Sequence, residues 1–147
     1  MEIREIKENK KQFLSLLLLA DEQEDMIDRY LDKGRMYVLD DDGVKCECVV
    51  TDEGNDVLEI KNIATVPECQ GKGYAKALID FVVKKYSEQY TVLQVGTGDS
   101  PLTIPFYEKC GFVRSHIVPN FFTDNYDHPM FEAGVQLVDM VYLQKAL

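Results

Sequence analysis

The sequence predicts a mixed α/β domain. Hairpin strands come first, a strand–helix–strand–helix passage follows, and an antiparallel pair closes the chain. Three observations carry this reading. Asp40-Asp41-Asp42-Gly43 separates two apolar runs, a strong hairpin signal. Val57 to Val66 reads as a buried strand that passes through a tight loop with Gly71 and Gly73 into an amphipathic helix. Such a crossover makes the strand at Thr91 parallel to the one before it. At 147 residues the chain buries a core without staples, so residues 1–147 are read as one domain.

Taken in order, a short strand Ile3–Ile6 opens the fold, and Asn9 caps a helix running to about Ala20. Asp21 starts a second helix, with Met26, Ile27, Tyr30 and Leu31 at helical spacing, and Gly34 ends it. Strands Arg35–Leu39 and Val44–Val50 flank the Asp-Gly turn, and Asp52-Glu53-Gly54-Asn55 turns into the strand from Val57. The central helix runs from about Gly71 through Tyr86. Ala75, Leu78, Ile79, Val82, Val83 and Tyr86 form its buried stripe. Thr91–Val95 is a strand, Gly96 to Ser100 a loop and Ile104–Lys109 a short helix. Gly111–Val118 and Val135–Gln144 are the last two strands.

Composition excludes several classes. The net charge is −10, which argues against a nucleic acid partner, because phosphate backbones need a basic footprint. Acidity reads either as solubility alone or as attraction of a cationic small molecule or peptide amine. No apolar run is long enough for a bilayer, and Met1-Glu2-Ile3-Arg4-Glu5 lacks the pattern of a signal peptide, so a cytoplasmic protein is expected. The four cysteines, at 46, 48, 69 and 110, form no Cys-x-x-Cys pair, so no metal is expected. Cys46 and Cys48 alternate along a strand and share one face as small buried hydrophobes.

The chemistry begins at the glycine loop. A strand that runs through such a loop into a helix leaves backbone N–H groups unpaired at the helix start, where the dipole also favours an anion. Lys72, Lys76, Lys84 and Lys85 stand there against one acid, Asp80, a charge inversion within an acidic chain. A solvated helix face behind a glycine turn is the plainer reading. A P-loop fails because Tyr74-Ala75 follows Gly73, and a dinucleotide fingerprint fails because Lys76 holds its last position. Gln/Arg-x-x-Gly-x-Gly/Ala fits, as Gln70, Gly73 and Ala75.

On these residues the chain resembles the GNAT N-acetyltransferase superfamily. Val66-Pro67-Glu68-Cys69-Gln70 resembles the family's strand exit, and Phe106-Tyr107-Glu108-Lys109-Cys110-Gly111-Phe112 its later helix–turn–strand block. The resemblance covers roughly Leu58 to Val113. It implies a mixed, mostly antiparallel twisted sheet of about seven strands with helices on both faces. It also implies acetyl-CoA as co-substrate. The implied cofactor-binding residues are Ala64, Thr65, Val66, Gln70, Gly71, Lys72, Gly73, Tyr74, Ala75, Lys76 and Asp99. Gly96-Thr97-Gly98-Asp99-Ser100 is similar to a Gly-Thr-Gly-Asn-Ser run in one bacterial group, with Asp99 replacing the asparagine.

An amine must lose a proton before it attacks a thioester. Glu59, on the strand leading to the loop, is the best-placed carboxylate, and an outward-facing strand residue is its plainer reading. Glu47, Glu24, Asp25 and Asp28 are weaker candidates. The resemblance makes Tyr107 the general acid for the departing thiolate; otherwise it packs behind Gly111-Phe112. A splayed backbone around Asn62 to Val66 would offer an oxyanion donor and let pantetheine pair with Ala64 and Val66. His116 and His128 are each a candidate base by residue type, and an incidental lone histidine is the plainer reading of both. The aromatic loop Pro119–Phe131 walls an acceptor pocket or covers a second subunit, a possible homodimer. Acetyl transfer to a primary amine is the leading reading. A non-catalytic acyl-CoA-binding module and a nucleotide-binding protein are the alternatives.

Overall fold

The computed structural model describes residues 1–147. Seven strands form one mixed, mostly antiparallel sheet: β1 (Glu2–Ile6), β2 (Arg35–Asp40), β3 (Val44–Asp52), β4 (Val57–Thr65), β5 (Val92–Gly98), β6 (Val113–Val118) and β9 (Met140–Ala146). Their spatial order is β1-β2-β3-β4-β5-β9-β6. Only β4 and β5 run parallel, as the helical crossover between them requires. A separate two-stranded ribbon joins β7 (Met130–Glu132) to β8 (Val135–Leu137). The hairpin turn forms where two consecutive positive φ angles are needed, at Asp42 (57°) and Gly43 (104°).

Period-two alternation sorts the strand side chains onto two faces. Tyr37, Leu39, Cys46, Cys48, Val50, Leu58 and Ile60 join Leu78, Ile79, Val82 and Tyr86 of α3 (Tyr74–Tyr86) in the larger core. Cys46 and Cys48 share this face as free, buried thiols. Met36, Val38 and Val49 point the other way, against Leu17 of α1 (Leu14–Ala20) and Ile27 of α2 (Glu24–Asp28), with Tyr30 and Leu31. Helices therefore cover both faces, and α3 lies opposite α1 and α2. Each fully buried Leu or Ile contributes about 2–3 kcal/mol.

Several elements differ from the sequence reading, each for a local reason. Asn9 takes a left-handed φ of 51° and makes no side-chain cap, and the first turn is 3-10 over Lys10–Phe13. Asp21 does not start the second helix. It ends α1, buried, with its carboxylate bonded to two tyrosine hydroxyls, and α2 begins at Glu24. Gly34 does not cap α2 directly: regular helix stops at Asp28, and turns lead to the Gly34 N–H, which donates to the Tyr30 carbonyl at 2.9 Å. Gly96–Gly98 is strand paired with Met140–Tyr142 of β9, and the missing side chains of Gly96 and Gly98 leave room for Met140 and Tyr142 at the first and Leu137 at the second. The expected strand 135–144 breaks at Val138-Asp139. There the Val138 carbonyl accepts from Phe122 N–H and the Asp139 carboxylate from Asn120 N–H, both at 2.9 Å. Those two bonds hold the start of a helix absent from the sequence reading, α5 (Phe121–Asn125). No helix is long and apolar enough to cross a membrane.

Candidate active site

The cleft arises from a failure of strand pairing. β4 and β5 pair only from Val57–Ile60 to Val92–Val95. On its other edge β4 carries a bulge: Val50 faces Ile60 and Val49 faces Asn62, which leaves Lys61 without a partner. A bulge bends and twists its strand. Beyond it the rest of β4 follows β3, Gly96–Gly98 follow β9, and the two parallel strands part. The opening is a cleft of about 1090 Å³, walled by residues 60–65 on one side and 95–98 on the other. It connects the α3 face, where α4 (Ile104–Lys109) also packs, to the α1–α2 face.

On the α3 side the cleft reaches the glycine loop. Gly71 (φ 80°) and Gly73 (φ 88°) adopt the left-handed conformation that lets the chain reverse into the helix. No backbone hydrogen bond is donated by residues 71–76; the first is Ala77 N–H to the Gly73 carbonyl, at 3.0 Å. A Cβ at Gly71 or Gly73 would meet nothing within 4 Å, so the loop faces open space. This continuous row of free donors at a helix start fits a pyrophosphate. Tyr74 anchors the helix start by donating to Asp41 at 2.6 Å. Gln70, Gly71, Gly73, Tyr74, Ala75 and Lys76 line the cleft, as do Ala64 and Thr65. Val66, Lys72 and the exposed Asp99 do not. The Val66 N–H is donated to Lys45 O and its carbonyl accepts from Cys69 N–H, both at 2.8 Å, so both of its backbone groups are already engaged.

At the parting of the strands lie Glu59 and Tyr107. Tyr107, on α4, is buried, lines the cleft and packs edge-on against Phe106 and Phe112. Burial pushes its hydroxyl well above the ordinary tyrosine range, helped by Cys48, Cys110, Glu132 and Glu47, so the phenol stays protonated. Glu59 is not an outward-facing strand residue. It is 4% exposed, accepts from Gln94 Nε2 at 2.5 Å and pairs with Lys61 Nζ at 2.8 Å.

The remaining candidates lie away from the cleft. Glu24 and Asp28 bridge Lys11 at 2.8 and 2.7 Å, and Asp25 is exposed. Glu47 is fully buried on β3, with neither oxygen in a hydrogen bond. His116 stacks on Tyr142, and His128 bonds Asp127; both are exposed. The aromatic loop folds inward instead: Phe122 is buried with Met130 and Leu137, and Phe121, Phe122, Tyr126 and Phe131 line the cleft. The side chains of Asp21 and Asn62 also line the cleft, whereas the sequence reading took Asp21 as a helix start and Asn62 only as backbone. A polar amide in the middle of the expected strand Val57 to Val66, next to Ile63, was the one available signal.

A phosphate cradle that opens into a gap between two parallel strands suits a donor with an anionic head and a narrow, linear arm. That construction defines the class of acyltransferases that draw on a CoA thioester. The acetyltransferase (GNAT) domain family matches residues 32–114. An uncharacterized N-acetyltransferase of Bacillus subtilis (strain 168), YvbK, is 35% identical over 140 residues, covering 93% of this chain and 90% of its own. A GNAT family acetyltransferase from Elizabethkingia anophelis, solved with acetyl-CoA bound, superposes with a TM-score of 0.93 at 33% identity, over 99% of this chain and 97% of that one. A Bacillus subtilis acetyltransferase in complex with CoA gives 0.90 at 34%, over 99% and 98%. The chain belongs to the GNAT family and is an N-acetyltransferase.

Proposed function

We propose that residues 1–147 act as one domain that transfers an acetyl group from acetyl-CoA to a primary amine of a cationic acceptor, by direct attack in a ternary complex. One observation carries this reading: a single cleft joins the free N–H row of residues 71–76 to Tyr107 and Glu59. The donors of Gly71 to Lys76 hold the pyrophosphate, while the Lys76 ammonium pairs with Asp80 at 2.9 Å. The cleft-lining edge of β4 at Ala64 and Thr65 holds the pantetheine arm as a pseudo-strand, and the backbone from Asn62 to Thr65 offers the oxyanion donor. Acetyl-CoA supplies the activated carbonyl. Glu59 receives the proton of the attacking amine, directly or through a water. As the new C–N bond forms and the C–S bond breaks, Tyr107 gives its proton to the departing thiolate. The net charge of −10 favours a cationic acceptor.

Release of CoA thiol with a panel of primary amines, measured for wild type and Tyr107→Phe, tests this reading. The expected result is turnover with at least one amine, a loss of about 10²-fold or more in kcat for the variant, and unchanged acetyl-CoA affinity. Tight acetyl-CoA binding without transfer to any amine would favour a non-catalytic acyl-CoA-binding module. Unchanged turnover in the variant would remove Tyr107 from the chemistry.

A further inference from the structure

The acceptor half of the cleft contains a buried carboxylate that no cation of the chain neutralises. Asp21 is 8% exposed and lines the cleft. Its Oδ2 accepts from the Tyr30 hydroxyl at 3.0 Å and its Oδ1 from the Tyr126 hydroxyl at 2.7 Å. Unlike Glu59, which has Lys61, it belongs to no ion pair. Arg29 and Lys33 line the same cleft, but neither pairs with Asp21: Arg29 acts on it only through space and gives its guanidinium N–H to Asn125 Oδ1 at 3.2 Å. Burial lifts the carboxyl above its ordinary range, and the two phenols, the Gln23 backbone N–H and the more distant Arg29 oppose that rise. Buried carboxylates are ordinarily paired, because an unpaired one forfeits its hydration without compensation.

Asn62 supplies the second observation. It is 3% exposed and lines the same cleft. Its Nδ2 donates to the Leu17 carbonyl and to the Tyr30 hydroxyl, both at 3.0 Å, while its buried Oδ1 has no partner. Tyr30 already gives one bond and takes one, so it links the two residues without offering another donor. The polar atoms left to a ligand are all acceptors: the second lone pairs of the two carboxylate oxygens, each of which already takes one phenol hydroxyl, and the unpartnered amide oxygen. An alkylammonium carries three donors and no acceptor. The rings of Tyr126 and Phe122, stacked at 5.7 Å on the same cleft, are surfaces on which such a cation also rests favourably.

We propose that Asp21 and Asn62 form a subsite for a second ammonium of the acceptor, so that the substrate carries two basic centres, one acetylated and one held. This rests on the transferase reading above and names its substrate class. A small polyamine and a peptide with a lysine beside its reactive amine share this chemistry.

Binding and turnover are measured separately on the full chain. Calorimetry with the CoA complex compares 1,4-diaminobutane with butylamine, and Gly-Lys-amide with Gly-norleucine-amide. Thiol release then compares kcat/KM for the same pairs. In wild type the dication of at least one pair is expected to bind, and to be used, tenfold or more better than its monocation, and the preferred pair identifies the source. In Asp21→Asn that ratio falls towards one, chiefly through KM, with acetyl-CoA affinity retained as the sign of an intact fold. Tyr126→Phe, which keeps the carboxylate, retains a clear preference. Equal binding within both pairs in wild type, or an undiminished preference in Asp21→Asn, overturns the subsite. Preferential binding that is lost in Asp21→Asn, without any acetyl transfer, would overturn the enzymatic reading and support the subsite.

Discussion

Lys61 places its ammonium 2.8 Å from Glu59 Oε2, two residues away on the same strand face, while Gln94 donates to the other oxygen at 2.5 Å. Both oxygens of the carboxylate nearest the parted strands are therefore held in place, and a proton must arrive along a remaining lone pair. Glu59→Gln keeps the shape and removes the base. It is expected to lower kcat by about 10²-fold or more while acetyl-CoA affinity stays constant. Lys61→Met strands a nearly buried carboxylate. Since Lys61 is 24% and Glu59 6% exposed in their side chains, the cost lies between surface and buried pairs, about 1–3 kcal/mol in urea unfolding. An unchanged kcat in Glu59→Gln would move the base elsewhere.

Gly73 and Gly54 make a matched pair. Both have φ between 80° and 88°, and a Cβ at either meets nothing within 4 Å. Alanine at each is then strained by backbone conformation alone, at about 1–2 kcal/mol. Gly54 turns the β3–β4 hairpin, whereas Gly73 carries the donor row. Gly73→Ala is expected to weaken acetyl-CoA binding by tenfold or more and Gly54→Ala to leave it unchanged, at similar losses in Tm. Equal CoA affinities would show that the loop does not contact the pyrophosphate.

Much of this was legible in the sequence because it rests on local rules. The hairpin at Asp42-Gly43, the crossover helix and the Ile104–Lys109 helix each follow from turn chemistry or periodicity, and each forms. Asp21 illustrates what local rules miss. A capping reading is sound for an aspartate before an apolar-periodic run, but two hydroxyls, one from Tyr126 at a sequence separation of 105, hold it in another role. Gly96–Gly98 shows the same limit. A Gly-Thr-Gly segment reads as a loop until β9 and Leu137 are known to pack against its glycines.

That packing predicts a variant that separates acceptor from donor binding. A Cβ at Gly98 would lie 2.6 Å from Leu137 Cδ2, and Leu137 is buried with Phe122 and Met130 along the part of the cleft proposed for the acceptor. Gly98→Ala must displace that leucine. The expected outcome is a several-fold rise in acceptor KM, with calorimetric acetyl-CoA affinity unchanged. A change confined to acetyl-CoA would place Leu137 outside the acceptor wall.

Glu47 supplies a test of pH dependence. It is fully buried on β3, and neither oxygen is hydrogen-bonded. Burial drives its carboxyl well above the ordinary 4.5, with a smaller opposing effect from the Ala64 N–H, which lies outside hydrogen-bonding geometry. The folded state therefore holds a proton that the unfolded chain releases near pH 4.5. Below that pH both states are protonated and the group is neutral to stability. From there up to the folded value the native state binds more protons, so stability falls as pH rises, by up to about 1.4 kcal/mol per pH unit. Asp21, also raised by burial, contributes with the same sign. Glu47→Gln removes the larger share. Urea unfolding between pH 4 and 9 is expected to show a flatter decline for the variant than for wild type, and a higher Tm near pH 8. Parallel stability curves would mean that Glu47 gains a compensating partner on ionising, and that its burial carries no cost.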